Sequence, residues 1–250
     1  MDAQSRVDAL LATYPRARPE LPQAHRETYV EHYRRNRSGT HGLSRIVMRL
    51  ESWMHRQIAK DVSGAVLEIG AGNLNHVPYQ PDAAVYDAVE PFRELWRDSP
   101  YRARVRRIYD DCAEIPPEER YDCILSVALL EHLVDLPAVV AGAALHMRAG
   151  GNFRAGFPSE GGMLWALAWR LTTGIEYRLR RGLDYAAIMR HEHVNTAEEI
   201  VALLGYFFAR VEIARFPLPA AHLSFYTAAI AREPVIERCR RFCAADAART

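Results

Sequence analysis

Ala65-Val66-Leu67-Glu68-Ile69-Gly70-Ala71-Gly72-Asn73 is a short apolar run that ends in an acid-x-Gly-x-Gly turn, and its reading decides the fold. An uninterrupted run of this length is what a strand buried on both faces looks like. Glycine at the carboxyl end of such a strand lets the backbone turn sharply and approach a ligand closely, while free N–H groups point outward. Working outward, Val85–Val89, Val105–Tyr109, Cys123–Val127 and Asn152–Phe157 repeat the same texture, separated by stretches of helical spacing. That rhythm predicts a doubly wound, Rossmann-like α/β sheet of mostly parallel strands. Ala197–Leu204 then reads as a helix, and Arg210–Arg215 and Leu223–Ala231 as two further strands. Only Phe216-Pro217-Leu218-Pro219 and a few more residues join those two, too few for a crossover helix, so the seventh strand should run antiparallel.

On either side of this core the pattern changes. Residues 1–62 read as a helical lead-in: Val7, Leu10 and Leu11 form a short stripe, and Ile46, Val47, Leu50, Trp53, Met54 and Ile58 fall on one helix face. The lead-in is locally basic, with 11 basic against six acidic residues in positions 1–60. Tyr29, His32, Tyr33, Asn36 and Arg37 share roughly one side of its middle helix and are candidates to cap a polar pocket. The core domain is expected to span 63–235, with a tail over 236–250. Residues 159–195 are too long for a plain connection and carry Gly161, Gly162, Trp165, Trp169, Tyr177, Tyr185 and five arginines. We read them as a helical insertion over the mouth of the site, with an amphipathic helix packed on the core or on a second subunit as the alternative.

Composition narrows the class. A chain of 250 residues with 49% hydrophobic content can bury a full core, and a formal charge of +1 argues against a dedicated nucleic-acid binder. Cys112, Cys123, Cys239 and Cys243 show no Cys-x-x-Cys spacing and read as free thiols of a cytoplasmic protein. The longest apolar run, Met163–Ala168, is too short to span a bilayer.

Acidic residues at three successive strand ends carry the chemistry. Glu68 stands in the glycine turn; Glu90, eighteen residues after Gly72, ends the second strand; Asp111 follows the third. A carboxylate at position 90 can accept from both hydroxyls of a ribose, and one at 111 from an adenine amino group. The third glycine of a dinucleotide fingerprint is missing, with Asn75 in its place, which argues against a nicotinamide cofactor. Three acids point to a cationic adenosyl ligand.

With Leu130-Glu131-His132-Leu133 after strand four and Ala149-Gly150-Gly151-Asn152 before strand five, the chain resembles the class I S-adenosylmethionine-dependent methyltransferases of the type 11 and type 12 kind. The resemblance covers residues 64–158 and resumes weakly at His191-Glu192-His193-Val194-Asn195 and Gly205-Tyr206-Phe207. It implies that Gly70 and Gly72 line the methionine portion of S-adenosylmethionine, Glu90 holds the ribose, and Asp111 with the Cys112 backbone reads adenine. It also implies a Val127 carbonyl near the amino group, and a Glu68 that orders the glycine turn or is simply tied to backbone N–H groups. One departure is local: 12 residues with Pro78 and Pro81 separate Gly72 from Val85, so the first helix must be very short.

A hydroxyl acceptor needs a base, and His193, His132 and His191 are the candidates. Some relatives bind a metal around the Leu-Glu-His stretch; Ala128 stands where those carry an acid, so no metal is expected. The nearest resemblance for the acceptor is to bacterial enzymes acting on sugars of surface polysaccharide or glycoconjugates, carried by Leu21-Pro22, the aromatic residues that follow, and Tyr86-Asp87-Ala88-Val89-Glu90-Pro91-Phe92. A phenolic natural product fits almost as well. A homodimer, and a non-catalytic binding module on the same fold, remain open.

Overall fold

The computed structural model describes residues 3–26 and 42–247. Tyr29, His32, Tyr33, Asn36 and Arg37 lie outside the described residues, as do the side chains of Ile46 and Val47.

The glycine-turn strand is β1 (Gly64–Ile69), an interior strand of the sheet that pairs with a neighbour on each side. β2 (Ala83–Val89), β3 (Arg107–Tyr109), β4 (Tyr121–Val127) and β5 (Met147–Pro158) run parallel to it. β6 (Phe208–Pro217) and β7 (Ser224–Pro234) complete a seven-stranded sheet of order β3-β2-β1-β4-β5-β7-β6, with β7 antiparallel to both neighbours. The mostly parallel direction and the reversal of the seventh strand are as expected from the sequence.

Alternation along the central strands divides the core in two. Leu67 and Ile69 of β1, with Phe153, Ala155 and Phe157 of β5, face one layer. That layer is covered by helices α3 (Leu136–Leu145), α7 (Ala197–Phe207) and α8 (Ile236–Ala247). The residues expected as a tail therefore carry a helix: Cys239 is fully buried and Phe242 meets Phe207 edge to face. Val66, Cys123 and Leu125 face the other layer, under α2 (Gly42–Ala59), which follows α1 (Ala3–Leu11) in the lead-in. A Cβ on Gly156 of β5 would stand 3.0 Å from the Met54 Cβ, so the bare backbone there is what lets α2 lie close to the sheet.

Where a first helix would follow the glycine turn there is only one 3-10 turn, Val77–Tyr79, as its two prolines require. His55 of α2 pins this loop. Its Nδ1 shares a 2.8 Å hydrogen bond with His76 Nδ1, and the His76 Nε2 lies 3.0 Å from the Gln80 amide nitrogen. Both imidazoles are buried, and burial lowers them to about 4 for His55 and about 3 for His76, so the pair is neutral at ordinary pH.

The insertion is helical, as anticipated. α4 (Met163–Trp169) continues through a π-helical stretch, Arg170–Gly174, into α5 (Ile175–Arg181) without leaving helical backbone angles, and α6 (Ala186–Glu192) returns the chain to the core. Among the described residues no helix is long and apolar enough to cross a membrane.

Candidate active site

The carboxyl ends of β1, β2, β3, β4 and β5 open on one edge of the sheet, and the chemistry-bearing side chains collect there. Gly70 and Gly72 both have left-handed backbone, with φ of 73° and 51°, which side-chain-bearing residues rarely adopt. A Cβ on Gly70 would also stand 2.6 Å from a Leu129 methyl, so the turn and the loop after β4 can touch only because position 70 is glycine.

Glu90 orders the turn. Its Oε2 accepts from the Gly72 N–H at 2.7 Å and its Oε1 from the Phe92 N–H at 3.1 Å, while Gly70 N donates to the Val89 carbonyl at 2.9 Å. An ionised carboxylate has about four acceptor positions, so two remain for a diol. Asp111 is exposed after β3, accepts from the Ala113 N–H at 2.8 Å, and so caps a turn that begins at Cys112. Val127 ends β4, and the next residue, Ala128, takes φ of 50°, turning the chain away from the sheet there.

Glu68 behaves differently from the expectation of a charged acid in the turn. It is buried and its Oε2 accepts from the Tyr86 hydroxyl at 2.7 Å, toward the layer under α2. Burial pushes its carboxyl up to about 8 despite that hydrogen bond, with the nearby Glu90 adding to the rise. Burial thus favours the protonated form of Glu68, and the turn contacts are those of Glu90 and Val89.

Beyond β4 the structure assembles a second group from distant parts of the chain. His193 Nδ1 donates to Glu160 Oε2 at 2.8 Å, and Trp165 Nε1 donates to the same oxygen at 2.6 Å. The Trp165 and His193 rings lie nearly parallel with centroids 6.4 Å apart, and His132 meets His193 edge to face at 4.8 Å. Burial alone would lower the His193 pKa. The hydrogen bond to Glu160 and the charges of Glu131, Glu160 and Glu192 outweigh it and hold the imidazole above its ordinary value of 6.5. Glu131 is fully buried with one carboxylate oxygen lacking a hydrogen-bond partner, and burial raises its carboxyl to about 7. Glu51 of α2 is raised to about 7 by the same cause.

Four hydrogen bonds from the two residues after His193 fix its position. Val194 N and Asn195 N both donate to the Glu131 carbonyl, at 2.8 and 3.1 Å, and the Asn195 amide donates to Leu130 O and Leu133 O at 2.8 and 2.7 Å. Tyr14 and Arg16 brace Asn195 and Val194 from the N-terminal segment. Thr196 then caps α7 in a reciprocal pair with Glu199, which also holds Arg16 at 2.6 Å. His132 uses Nδ1 on the Glu192 carbonyl at 2.9 Å, and His191 donates to the Pro19 carbonyl at 2.7 Å, so His191 serves the N-terminal segment.

Of the sequence candidates, the fold brings His193 and His132 together and sets His191 apart. Glu131, His132 and His193 each offer a ligand atom, all within 4.8 Å of one another, a spacing that suits a cation. His193 joins this group from the far end of the insertion, while Ala128 stands where the metal-binding relatives carry an acid. Glu160, Glu51 and Trp165 were missed as site residues. Glu160 had a signal, since it stands two residues past the carboxyl end of β5, where ligands of such sheets bind. Behind Glu160 lies a cavity of about 190 Å³, lined by Gly162, Thr196, Glu198, Arg215 and His222 among others.

No family model and no curated protein matches the chain. Solved structures do. The plantazolicin methyltransferase BpumL, described in complex with a monoazolic desmethylPZN analog and SAH, is 13% identical with a TM-score of 0.55, over 92% of this chain and 99% of that one. The N-methyltransferase NodS from Bradyrhizobium japonicum WM9, in complex with S-adenosyl-L-homocysteine, is 16% identical with a TM-score of 0.52, over 94% and 100%. A SAM-dependent methyltransferase from Thermotoga maritima is 15% identical with a TM-score of 0.54, over 83% and 97%. The seven-stranded sheet with its reversed β7 is thus the Rossmann-like fold of the class I methyltransferases.

Proposed function

We propose that this chain is an S-adenosylmethionine-dependent methyltransferase that methylates a hydroxyl group, the acceptor being a sugar in a glycan or glycoconjugate. The observation that carries the reading is the His193–Glu160 pair, 2.8 Å apart, at the same sheet edge as the Gly70–Gly72 turn and the Glu90 carboxylate.

The donor set fits the cofactor. Glu90 has acceptor capacity left for the ribose hydroxyls, and Asp111 with the Cys112 backbone stands at the next strand end for adenine. The Gly70–Gly72 turn and the Val127 carbonyl would hold the amino-acid portion. Phe92, 55% exposed and next to Glu90 through Pro91, offers an apolar face for the base. Bound S-adenosylmethionine supplies an electrophilic methyl on sulfonium.

With that group bound, methyl transfer to an acceptor hydroxyl would be an in-line displacement, the new O–C bond replacing the C–S bond and the electron pair being left on sulfur. With Nδ1 committed to Glu160, His193 keeps Nε2 to receive the hydroxyl proton, and the carboxylate stabilises the imidazolium that results. Alignment supplies the rest, which the backbone staples around His193 favour.

For the sugar, the support is the carboxylates Glu160 and Glu192 near His193 as hydrogen-bond acceptors, with aromatic rings from Trp165 and Tyr226, whose centroids lie 5.8 Å apart. Arg215 in the adjoining cavity suits a phosphate beside the ring. The same carboxylates favour a second reading, N-methylation of an amine-bearing natural product. A cytoplasmic location agrees with four cysteines that form no disulfide.

The test is release of S-adenosylhomocysteine with sugar, lipid-linked sugar, phenol and amine acceptors. Turnover with a sugar hydroxyl is expected, falling about a hundredfold to ten-thousandfold in His193→Ala with cofactor affinity kept, and not rescued by His193→Gln. Activity should be lost on the acid side through an ionisation above 6.5, because only neutral His193 can take the proton. Release with amines alone would favour the second reading; near-native His193→Ala would remove His193 from the chemistry.

A further inference from the structure

The continuous helix Met163–Arg181 has a face that the enzymatic reading does not use. Met163, Leu167, Leu171, Ile175 and Leu179 are 68, 53, 59, 47 and 81% exposed, and they recur at every fourth position. In an unbroken α-helix a four-residue step drifts by about 40°, so five such residues would spiral around the axis. The π-helical stretch Arg170–Gly174 has a wider turn that winds the surface back, and the five side chains stay on one side. The stripe is about 24 Å long at the usual rise per residue.

Its charge is one-sided. Arg170, Arg178 and Arg180 are exposed beside the stripe and Arg181 is half-buried at its end, while Glu176, the only acid in the helix, is paired with Arg180 at 3.2 Å. The aromatic side chains that anchor protein–protein contacts are turned inward: Trp165 donates to Glu160, Trp169 packs on Tyr185, and Tyr177 is buried. What remains outside is aliphatic side chains rimmed by long cationic ones. This is the composition of a helix lying in the interface plane of an anionic bilayer, its apolar side among the acyl chains and its arginines reaching up to phosphates. Two copies of this face would bring like charges together, which disfavours self-association.

We propose that Met163–Arg181 docks the protein on anionic lipid surfaces through Met163, Leu167, Leu171, Ile175 and Leu179, with Arg170 and Arg178 contacting the headgroups. The inner side of the same helix carries Trp165 against His193, so docking sets the sheet edge beside the membrane, where a lipid-borne acceptor would be within reach. Docking itself does not depend on methyl transfer and is measured without it.

The experiment is flotation of the full chain with vesicles of phosphatidylcholine alone or phosphatidylcholine mixed with phosphatidylglycerol. Binding is expected only to the mixed vesicles and weakens with salt. Arg170→Gln with Arg178→Gln should weaken it about thirtyfold, from roughly 1 kcal/mol for each cation near the surface. Leu171→Glu with Leu179→Glu should abolish it, and both residues are exposed, so thermal unfolding should be unaltered. Failure to float with mixed vesicles, equal binding to neutral ones, or wild-type binding by both variants would each overturn the proposal. So would concentration-dependent self-association lost in the leucine variant, which would make a second copy the occupant.

Discussion

Glu68 illustrates how far a residue's identity and its state can diverge. In sequence it is one of three acids at strand ends; in the fold, burial beside Tyr86 raises its carboxyl from an ordinary 4.5 to about 8. A carboxyl raised on folding binds its proton more tightly in the native chain than in the unfolded one. Its contribution to stability is therefore complete below pH 4.5 and is lost as pH rises through about 8. Glu68→Gln keeps an acceptor for the Tyr86 hydroxyl and cannot ionise. Denaturant unfolding across pH 5 to 8.5 should show the native chain losing stability relative to Glu68→Gln; parallel profiles would mean that Glu68 is charged in the fold. The placement of Glu90 and Asp111 at strand ends was legible because it depends on backbone position alone. The His193–Glu160 pair was legible only in half, since nothing in a linear sequence says that a residue after β5 meets one at the exit of the insertion. Glu51 and the buried His55–His76 contact were hidden for the same reason: the partners are contributed by separate elements.

At the level of elements, the five parallel strands could be read from apolar runs because burial on both faces removes polar residues from them. Their ends were less legible. β5 begins at Met147 and includes Gly150 and Gly151, which a search for apolar runs passes over, and β3 is shorter than its run because Arg107–Tyr109 alone pairs with β2. The helix expected over 197–204 extends to Phe207, whose fully buried ring holds the last turn. Packing of α2 on the sheet depends on an absence that the sequence does not explain, the missing Cβ of Gly156. Gly156→Val would push into Met54, whose own backbone-proximal atoms have no freedom to move aside, and should destabilise the chain by about 1–3 kcal/mol. Urea unfolding measures this directly. A loss within a few tenths of a kcal/mol would show that α2 shifts without penalty, and the close approach would then carry no energetic weight.

Over the whole molecule, two half-sites meet at one edge of the sheet. One, built by the ends of β1 to β3, is the proposed adenosyl half-site; the other, built by the loop after β4, the end of β5 and the return of the insertion, carries the proposed base. Leu129 against Gly70 connects them, so the base lies on a scaffold continuous with the glycine turn. The methyltransferase reading stands or falls on the first half-site, because without a bound methyl donor the His193–Glu160 pair has nothing to act with. The most direct measurement is titration calorimetry of the full chain with S-adenosylhomocysteine, beside Glu90→Ala. Saturable binding by the native chain is predicted. In the variant it should be weakened about tenfold to a hundredfold, from loss of the ribose hydrogen bonds, with circular dichroism showing that the variant is folded. Absence of binding to the native chain, or the same affinity in folded Glu90→Ala, would contradict the account.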